Sequence, residues 1–351
     1  MNIRSFILSL MLEEIAEQPG ALAKTIDEES SKVARLGSLL KARGIRFIVI
    51  VARGSSDNAA LFGRYLLEMT TGIPVSLAAP SVYTLYGAKL RLKDALVVGV
   101  SQSGEGEDIN FVLTEARAAG AFTVGITNEP ASSMGKLVDE LLVIHAGRER
   151  SVAATKTFTG QMMLFYMLAA ALCEDGTAPD YKEIPRYVDA VVNRRSEVES
   201  LVQRYVYMEN CVVVGRGLIY GNAYELALKL METCYVVAER FSYADLLHGP
   251  LAMIERHFPI IVFAPQGKVI NSAKDLLVRL NELRADTLSI TSDQEVVSLS
   301  SRSFVMPEEI DEYLAPIPYI VPGQLFAALL AEAKGLNPDK PRSLSKVTRT
   351  L

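Results

Sequence analysis

Two serines and a glycine follow directly after a short apolar run and could together hold an anion. Residues 95–100 form the apolar run, and Ser101-Gln102-Ser103-Gly104 comes next. Apolar residues at 109, 112, 113 and 116 then recur at helical spacing. A strand that leads into a helix N-terminus leaves backbone N–H groups unpaired at the positive end of the helix dipole. This turn predicts a phosphate site; a helix-capping turn without a ligand is the alternative.

Two glutamates and a lysine share one face of a second helical stretch. Glu225, Lys229 and Glu232 are spaced i, i+4 and i+7 among otherwise apolar residues. On spacing alone, the pattern is typical of a solvent-facing ladder of ion pairs. The functional alternative is a carboxylate beside an ammonium in a cleft, which could move a proton at a carbon next to a carbonyl. Glu232, nearest the end of the helix, would be the base.

One histidine has a position that favours function, and no cofactor motif is visible. His248 precedes a Gly-Pro turn, whereas His145 ends an apolar strand and His257 lies among charged residues. The sequence has no histidine pair at metal spacing, no cysteine cluster and no Walker motif. Residues 215–217, Gly-Arg-Gly, are too short for a dinucleotide fingerprint. We therefore predict an enzyme that uses neither a metal nor a cofactor.

An internal duplication organises the elements that position these residues. The Arg-Gly pairs at Arg53 and Arg216 lie 163 positions apart (216 − 53), and similar strands precede both. Strands are predicted at about 47–52, 74–78, 95–100, 122–127 and 141–144, and again at about 211–215, 235–238, 259–264, 287–291 and 303–306. Helical stretches alternate with them. The sequence predicts an α/β protein with two tandem doubly wound, mostly parallel sheets in three αβα layers, with ligands bound beyond the carboxyl ends of the strands.

The domain boundaries follow from breaks in this pattern. We expect an N-terminal helical segment over 1–40, a first domain over 41–175, a connecting helix over 176–206, a second domain over 207–335 and a tail over 336–351. The apolar stretch at 6–12 leads into Glu13 and Glu14 without a cleavage site, which predicts an amphipathic helix rather than a signal peptide. The longest apolar run, 162–173, is too short to span a membrane.

Composition restricts the partners and the compartment. The chain has a formal net charge of −5, 50% hydrophobic residues and no Lys/Arg-rich run, which argues against a nucleic-acid surface. Its three cysteines have no zinc spacing and are expected to be reduced thiols. We expect a cytoplasmic protein that binds neither nucleic acid nor a membrane.

Six motifs, in order, resemble the double sugar-isomerase-domain proteins, typified by the isomerase half of glutamine-dependent glucosamine-6-phosphate synthase. The match runs nearly end to end. The motifs are Gly54-Ser55-Ser56, Ser101-Gln102-Ser103-Gly104-Glu105, Val152-Ala-Ala-Thr-Lys156, Glu225-x-x-x-Lys229-x-x-Glu232, His248-Gly249-Pro250 and Pro341-Arg-x-Leu-x-Lys346. The resemblance implies flavodoxin-like sugar-isomerase domains, a phosphorylated amino sugar or ketose as substrate, and a homodimer.

The resemblance also implies a role for individual residues. Glu232 would move a proton between C1 and C2 of the sugar, and Lys229 and Lys346 would line the site. His248 would open the sugar ring from the neighbouring subunit, and the C-terminal tail would be docked at the active site. The phosphate would be held by Ser101, Gln102 and Ser103, with Gly106 beside them. The remaining substrate-binding positions that we assign are Ser56, Val152, Ala154, Glu225 and Ser345.

Three departures from the family pattern narrow the expected reaction. Arg53 stands where the family has a cysteine, Gly106 where it has a phosphate-binding threonine, and Ala154 where it has a serine. These changes resemble the stand-alone deaminase and deglycase branch. Met1 is followed by Asn2, with no room for a glutaminase domain and its cysteine nucleophile, so we do not expect glutamine as the nitrogen donor.

The expected reaction is therefore conversion of glucosamine 6-phosphate into fructose 6-phosphate and ammonia. One alternative is a deglycase that cleaves a fructosamine 6-phosphate. A second is an isomerase module like that of the glutamine-fructose-6-phosphate aminotransferases, and a third is a sugar-phosphate sensor without catalytic activity.

Overall fold

Two five-stranded sheets form the framework of the computed structural model, which describes residues 9–174, 176 and 178–346. The strand order is β2-β1-β3-β4-β5 in the first sheet and β7-β6-β8-β9-β10 in the second, and all paired neighbours are parallel. The predicted pair of doubly wound sheets is confirmed. The strands are β1 (Phe47–Val51), β2 (Val75–Leu77), β3 (Ala95–Val100), β4 (Phe122–Thr127), β5 (Glu140–Val143), β6 (Asn210–Val214), β7 (Val237–Phe241), β8 (Pro259–Ala264), β9 (Asp286–Thr291) and β10 (Arg302–Val305).

Helices cover both faces of the sheets. The α-helices of the first half are α1 (Leu10–Ala16), α2 (Gln18–Arg43), α3 (Ser55–Thr71), α4 (Pro80–Thr84), α5 (Glu107–Ala118), α6 (Ser133–Leu137) and α7 (Lys156–Leu172). Those that follow are α8 (Ile184–Val192), α9 (Arg195–Val202), α10 (Tyr220–Lys229), α11 (Tyr243–Leu247), α12 (Ile270–Glu282), α13 (Gln294–Leu299) and α14 (Pro316–Ala333). In the described part of the chain, no helix is long and apolar enough to cross a membrane.

The central strands explain why the chain turns where the serines lie. Every residue of β3 and β4 is buried, as in parallel strands that helices cover on both faces. Leu96 pairs with Phe122 and Val100 with Ile126, so the two strands end level with each other. The N–H of Ser101 then donates to the carbonyl of Ile126 at 3.0 Å, which places the serine turn directly at the carboxyl edge of the sheet.

The prediction of one connecting helix over 176–206 is wrong, because the segment folds as two helices. The segment holds α8 and α9 between two 3₁₀ turns, and it breaks where Arg194 has the non-helical angles φ −102° and ψ 22°. The Arg194 guanidinium donates to the carbonyl of Val305 at 2.7 Å and pairs with Glu197. A contact with the second sheet thus accompanies the end of the helix. Strand β7 also begins two residues later than predicted, because Tyr235 adopts a left-handed conformation (φ 56°).

A close helix crossing joins the two halves beneath the candidate site. Helix α10 packs on α3, and a Cβ atom at Gly221 would lie 2.9 Å from the carbonyl oxygen of Asn58. Only a residue without a side chain permits this approach. One hydrophobic core is continuous across both halves and includes α14, of which nearly every residue is buried. The crossing brings residues of α10 against the first turn of α3.

Candidate active site

A cavity of about 350 Å³ lies beyond the carboxyl ends of β1 and β3. Helices α3 and α5 both begin at this cavity, so their unpaired N–H groups and positive dipole ends favour an anion there. The volume is within the range typical of small-molecule sites. The cavity is lined by Arg53, Gly54, Ser55, Ser56, Val100, Ser101, Gln102, Ser103, Gly106, Asp108, Ile109, Val152, Ala154, Glu232, Leu344, Ser345 and Lys346.

The serine turn is held in a fixed shape by its own hydrogen bonds. The Ser101 hydroxyl accepts from the N–H of Gly104 at 3.1 Å, and the Ser103 hydroxyl accepts from the N–H of Glu105 at 3.3 Å. Gly104 has a φ of 66°, and a Cβ atom there would lie 2.2 Å from the Ser132 hydroxyl oxygen. Only glycine fits this position, so the turn presents its hydroxyl groups to the cavity on a rigid backbone.

The side chains of Glu225, Lys229 and Glu232 form a buried chain of ion pairs. The interpretation of their spacing as a solvent-facing ladder is therefore wrong. The side chains of Glu225 and Lys229 are 0% exposed. The Lys229 ammonium lies 3.3 Å from Glu225 Oε1 and 2.6 Å from Glu232 Oε2. It also donates to the Ser55 hydroxyl at 3.1 Å, and that hydroxyl donates to Glu225 at 3.0 Å. A charge buried this deeply is retained only when it is paired.

Burial and ion pairing have opposing effects on the pKa values of Glu225 and Lys229. Burial raises the pKa of Glu225 to about 7, although the Lys229 ammonium and the amide of Asn58, which donates at 2.8 Å, oppose that change. Burial by itself lowers the pKa of Lys229, but the carboxylates of Glu225 and Glu232 outweigh it and leave this pKa above its usual value. Lys229 therefore stays an ammonium at neutral pH, next to Glu232.

A π-helical turn separates Glu232 from the two buried members of the chain. Helix α10 ends at Lys229, and Leu230–Cys234 continues it as a π-helix. The Glu232 side chain is 21% exposed and lines the cavity, whereas Glu225 and Lys229 lie behind the wall. Such turns are rare and are often found at functional sites. The spacing of the three charges alone did not predict this difference.

The C-terminal tail reaches the cavity through a buried carboxylate that the sequence analysis missed. The Lys346 ammonium lies 2.5 Å from Glu149 Oε2 and donates to the Ser151 carbonyl at 2.7 Å. Glu149 is completely buried and also accepts from Thr155 and Thr157. Burial by itself raises the pKa of Glu149, but Lys346 and these donors lower it below its usual value. In the sequence, Glu149 lies between two arginines and looks like part of a solvated charge run.

Further contacts hold the tail before Lys346. The Asp339 carboxylate accepts from the N–H groups of Leu10 and Met11, which caps α1. The N–H of Arg342 donates to the Tyr235 hydroxyl at 2.9 Å, and its guanidinium lies 4.1 Å from the centre of the Tyr235 ring. The tail residues 347–351 lie outside the described residues.

The predicted site residues fall into three groups. Glu225 and Lys229 lie behind the cavity wall, and His248 is exposed and lies outside the wall of its own chain's cavity. The others line the cavity together: Ser56, Ser101, Gln102, Ser103, Gly106, Val152, Ala154, Glu232, Ser345 and Lys346. Two charged wall residues were not predicted as site residues, Arg53 and Asp108, and they pair at 2.7 Å. Nothing in the sequence indicated that pair.

Comparison with known proteins identifies the family. The SIS domain matches this chain twice, over residues 25–171 and 208–332. The chain belongs to the SIS-domain family. Each SIS domain corresponds to one of the two parallel sheets. The resemblance to double sugar-isomerase-domain proteins is confirmed.

The chain is similar to two aminotransferases in sequence and structure, and it shares its fold with a deaminase. The glutamine-fructose-6-phosphate aminotransferase (isomerizing) of Gloeobacter violaceus is 35% identical over 96% of this chain, and the chain spans only 58% of that protein. The C-terminal domain of the glucosamine-fructose-6-phosphate aminotransferase of Francisella tularensis is 26% identical, with a TM-score of 0.86 over 97% of this chain and all of that one. A glucosamine-6-phosphate deaminase of Thermotoga maritima shares the fold at 22% identity, with a TM-score of 0.73 over 97% of this chain and all of that one.

Proposed function

We propose that this SIS protein is an amino-sugar-phosphate isomerase and deaminase that converts glucosamine 6-phosphate into fructose 6-phosphate and ammonia. One observation carries the proposal. A single cavity combines the serine turn, which suits a phosphate, with the Glu232 carboxylate, which is paired with a buried lysine. The first group would bind the substrate, and the second would move a proton on its carbon chain. The family relationship supports a phosphorylated sugar as substrate.

The proposed chemistry needs one proton acceptor and one water. In the open-chain sugar, Glu232 removes the proton from C2, and the electrons move toward the C1 carbonyl oxygen. Glu232 returns the proton to C1, and one proton passes from the amino nitrogen to the C1 oxygen. This leaves a hydroxymethyl group at C1 and an imine at C2. Water adds to the imine and displaces ammonia, so that C2 becomes the ketone of fructose 6-phosphate. The same carboxylate thus acts first as a base and then as an acid.

Positive charge near the reacting carbons stabilises the anionic intermediate. The Lys229 ammonium lies 2.6 Å from Glu232, and Lys346 lines the cavity from the tail. An ammonium held in place before the reaction stabilises a developing enolate without reorganisation during the step. Lys229 also pairs with Glu225. The lysine is therefore held beside Glu232 by a buried carboxylate that has a partner of its own.

His248 is assigned to ring opening from a second subunit. It is exposed and does not line the cavity of its own chain. We propose a homodimer in the cytoplasm in which His248 of each chain completes the site of the other. The imidazole then transfers the proton between the ring oxygen and the C1 hydroxyl that ring opening requires.

A fructosamine-6-phosphate deglycase is the second candidate, and an adjoining cavity favours it. This cavity of about 520 Å³ shares Gln102, Ser103 and Lys346 with the first and also contacts Arg148 and Arg150. It gives room for a substituent larger than an amino group. Glutamates line it as well as the arginines, so its volume rather than its charge is what favours the larger substituent.

One set of assays separates the candidates. The purified protein is incubated with glucosamine 6-phosphate, with a fructosamine 6-phosphate, and with glutamine plus fructose 6-phosphate; ammonia, glutamate and sugar phosphates are measured. We expect ammonia and fructose 6-phosphate from the first mixture and no glutamate from the third. Release of an amino acid only from the second mixture would establish the deglycase. Glutamate release would contradict the proposal, and binding without turnover of any substrate would indicate a sensor.

Replacing both turn serines should weaken substrate binding more than it slows the chemistry. Ser101→Ala with Ser103→Ala is expected to raise KM by about 10²-fold or more, because each hydroxyl bonds the phosphate equally in the ground state and the transition state. Steady-state kinetics with glucosamine 6-phosphate measure this. The matched control is Ser298→Ala with Ser300→Ala, two serines outside the cavity wall. An unchanged KM would mean that the phosphate binds elsewhere.

Glu149→Gln should release the tail. The amide nitrogen would face either Lys346 or the backbone N–H groups of Thr155 and Thr157, and in both orientations two donors oppose each other. We expect kcat to fall about tenfold or more and the protein to lose about 1–3 kcal/mol of stability. Trypsin cleavage after Lys346, followed by mass spectrometry, should become faster.

Glu13→Gln is the control for that variant, because it removes a half-exposed ion pair with Arg150 in the same region. Such pairs contribute little to stability. Equal cleavage rates and equal activity for Glu149→Gln and the wild type would show that the tail does not depend on this carboxylate.

A further inference from the structure

We propose that Arg53 is a direct ligand of the substrate phosphate and sets the preference of the cavity for a phosphorylated sugar. The inference deepens the proposed function by adding a residue to its phosphate site. Three features carry it: the anchoring of the Arg53 side chain, the space left by Gly106, and the charge of Asp108.

Arg53 is anchored at one nitrogen and free at the others. Its Nε donates to Asp108 Oδ2 at 2.7 Å, and the Asp108 side chain is only 2% exposed. The other oxygen of Asp108 accepts from the N–H of Ile109 at 2.9 Å, which fixes the carboxylate. Within the described residues, the two terminal amino groups of Arg53 have no hydrogen-bond partner. The side chain is 55% exposed and lines the cavity, so these groups are open to a ligand.

Gly106 leaves space next to the serine turn for this guanidinium. It lines the same cavity, immediately before α5, and contributes no side chain. Position 106 therefore adds no hydroxyl group to the hydroxyls of Ser101 and Ser103 and to the backbone N–H groups at the start of α5. A planar guanidinium with two free amino groups binds a phosphate through two parallel hydrogen bonds. Arg53 can supply these bonds.

The charge of Asp108 gives an independent reason for a cation here. Its carboxylate lies in the wall of a cavity that is proposed to hold a phosphate, and two anions at close range repel each other. Asp57, in the first turn of α3, lies close enough for Arg53 to oppose the increase in its pKa that burial causes. Arg53 offsets part of this negative charge, so its removal should weaken phosphate binding.

The test compares two variants that remove opposite ends of the Arg53–Asp108 pair. Arg53→Gln is expected to weaken the binding of inorganic phosphate and of glucosamine 6-phosphate by about 10- to 100-fold, measured by titration calorimetry. Asp108→Asn keeps an oxygen that can accept from Nε but loses the negative charge, so phosphate binding should not weaken. A pair with a purely structural role would give equal losses in both variants, and that result would overturn the proposal.

Two further variants keep the test decisive if Arg53→Gln does not fold. Arg53→Lys keeps the charge but not the two-pronged geometry, so its affinity for phosphate should fall between that of Arg53→Gln and that of the wild type. Arg53→Cys with Gly106→Thr should regain affinity lost in Arg53→Cys alone, since a hydroxyl replaces the guanidinium. A Cβ atom at position 106 would come closest to the Cδ1 atom of Ile109, at 3.1 Å. Wild-type phosphate binding by Arg53→Cys or by Arg53→Lys would overturn the inference.

Failure of this inference is distinguishable from failure of the proposed reaction. Binding of inorganic phosphate does not depend on which sugar is converted or on whether an amine is released. Loss of phosphate binding in Arg53→Gln with no deaminase activity in the wild type would support Arg53 and reject the reaction. Normal phosphate binding in Arg53→Gln with normal deaminase activity in the wild type would reject Arg53 and support the reaction.

Discussion

Glu232→Gln is expected to lower the turnover of glucosamine 6-phosphate by about 10²- to 10⁴-fold, with sugar-phosphate binding nearly unchanged. The amide has the shape of the carboxylate but cannot accept the C2 proton. The structure should tolerate the change, because Lys229 keeps Glu225 at 3.3 Å and the Ser55 hydroxyl at 3.1 Å as partners. Exchange of the C2 hydrogen with deuterated water, followed by NMR, should disappear together with turnover.

Glu239→Gln is the matched control, since Glu239 is an exposed glutamate on the strand that follows the π-helical turn. It should exchange the C2 hydrogen at the wild-type rate. Full exchange in Glu232→Gln would assign the base to another residue. Glu225 has a pKa of about 7 but lies behind the cavity wall, so it could take over only if that wall moved.

Two inactive variants are expected to restore each other's activity. If His248 completes the neighbouring site, Glu232→Gln and His248→Ala protein should each be nearly inactive. After subunit exchange, half of the dimers are hybrids, and one of the two sites in each hybrid contains both Glu232 and His248. Activity should therefore approach about a quarter of the wild-type value. Exchange is followed by mass spectrometry, and activity by ammonia release.

The control is exchange between tagged and untagged Glu232→Gln protein, which should remain inactive because every site lacks the base. If the hybrids form and the activity stays at the level of the separate variants, His248 acts within its own chain or does not act. If no dimer forms at all, the proposed assembly is wrong.

The sequence predicted the sheets because their signal is local. A strand such as β8 is buried along its whole length and therefore appears as an uninterrupted apolar run bounded by polar residues. The repeat of the Arg-Gly pair after 163 residues predicted that the second sheet copies the first, and both have the same strand order. The connecting helix was wrong because its break at Arg194 accompanies a hydrogen bond to Val305, a residue 111 positions away. The spacing of apolar residues along the sequence cannot predict such a contact.

By itself, the sequence determined the two SIS sheets and the serine turn at the edge of the first, since these depend on burial of apolar runs and on local backbone geometry. Only the tertiary structure decided which charges are buried and which face the cavity. The spacing of Glu225, Lys229 and Glu232 suits a solvated ladder equally well, until α10 packs on α3 and the π-helical turn carries Glu232 to the wall. The Glu149–Lys346 pair likewise joins residues 197 positions apart. Ionic and hydrogen-bond partners are chosen by the folded chain, because their energy depends on distance and on exclusion of water.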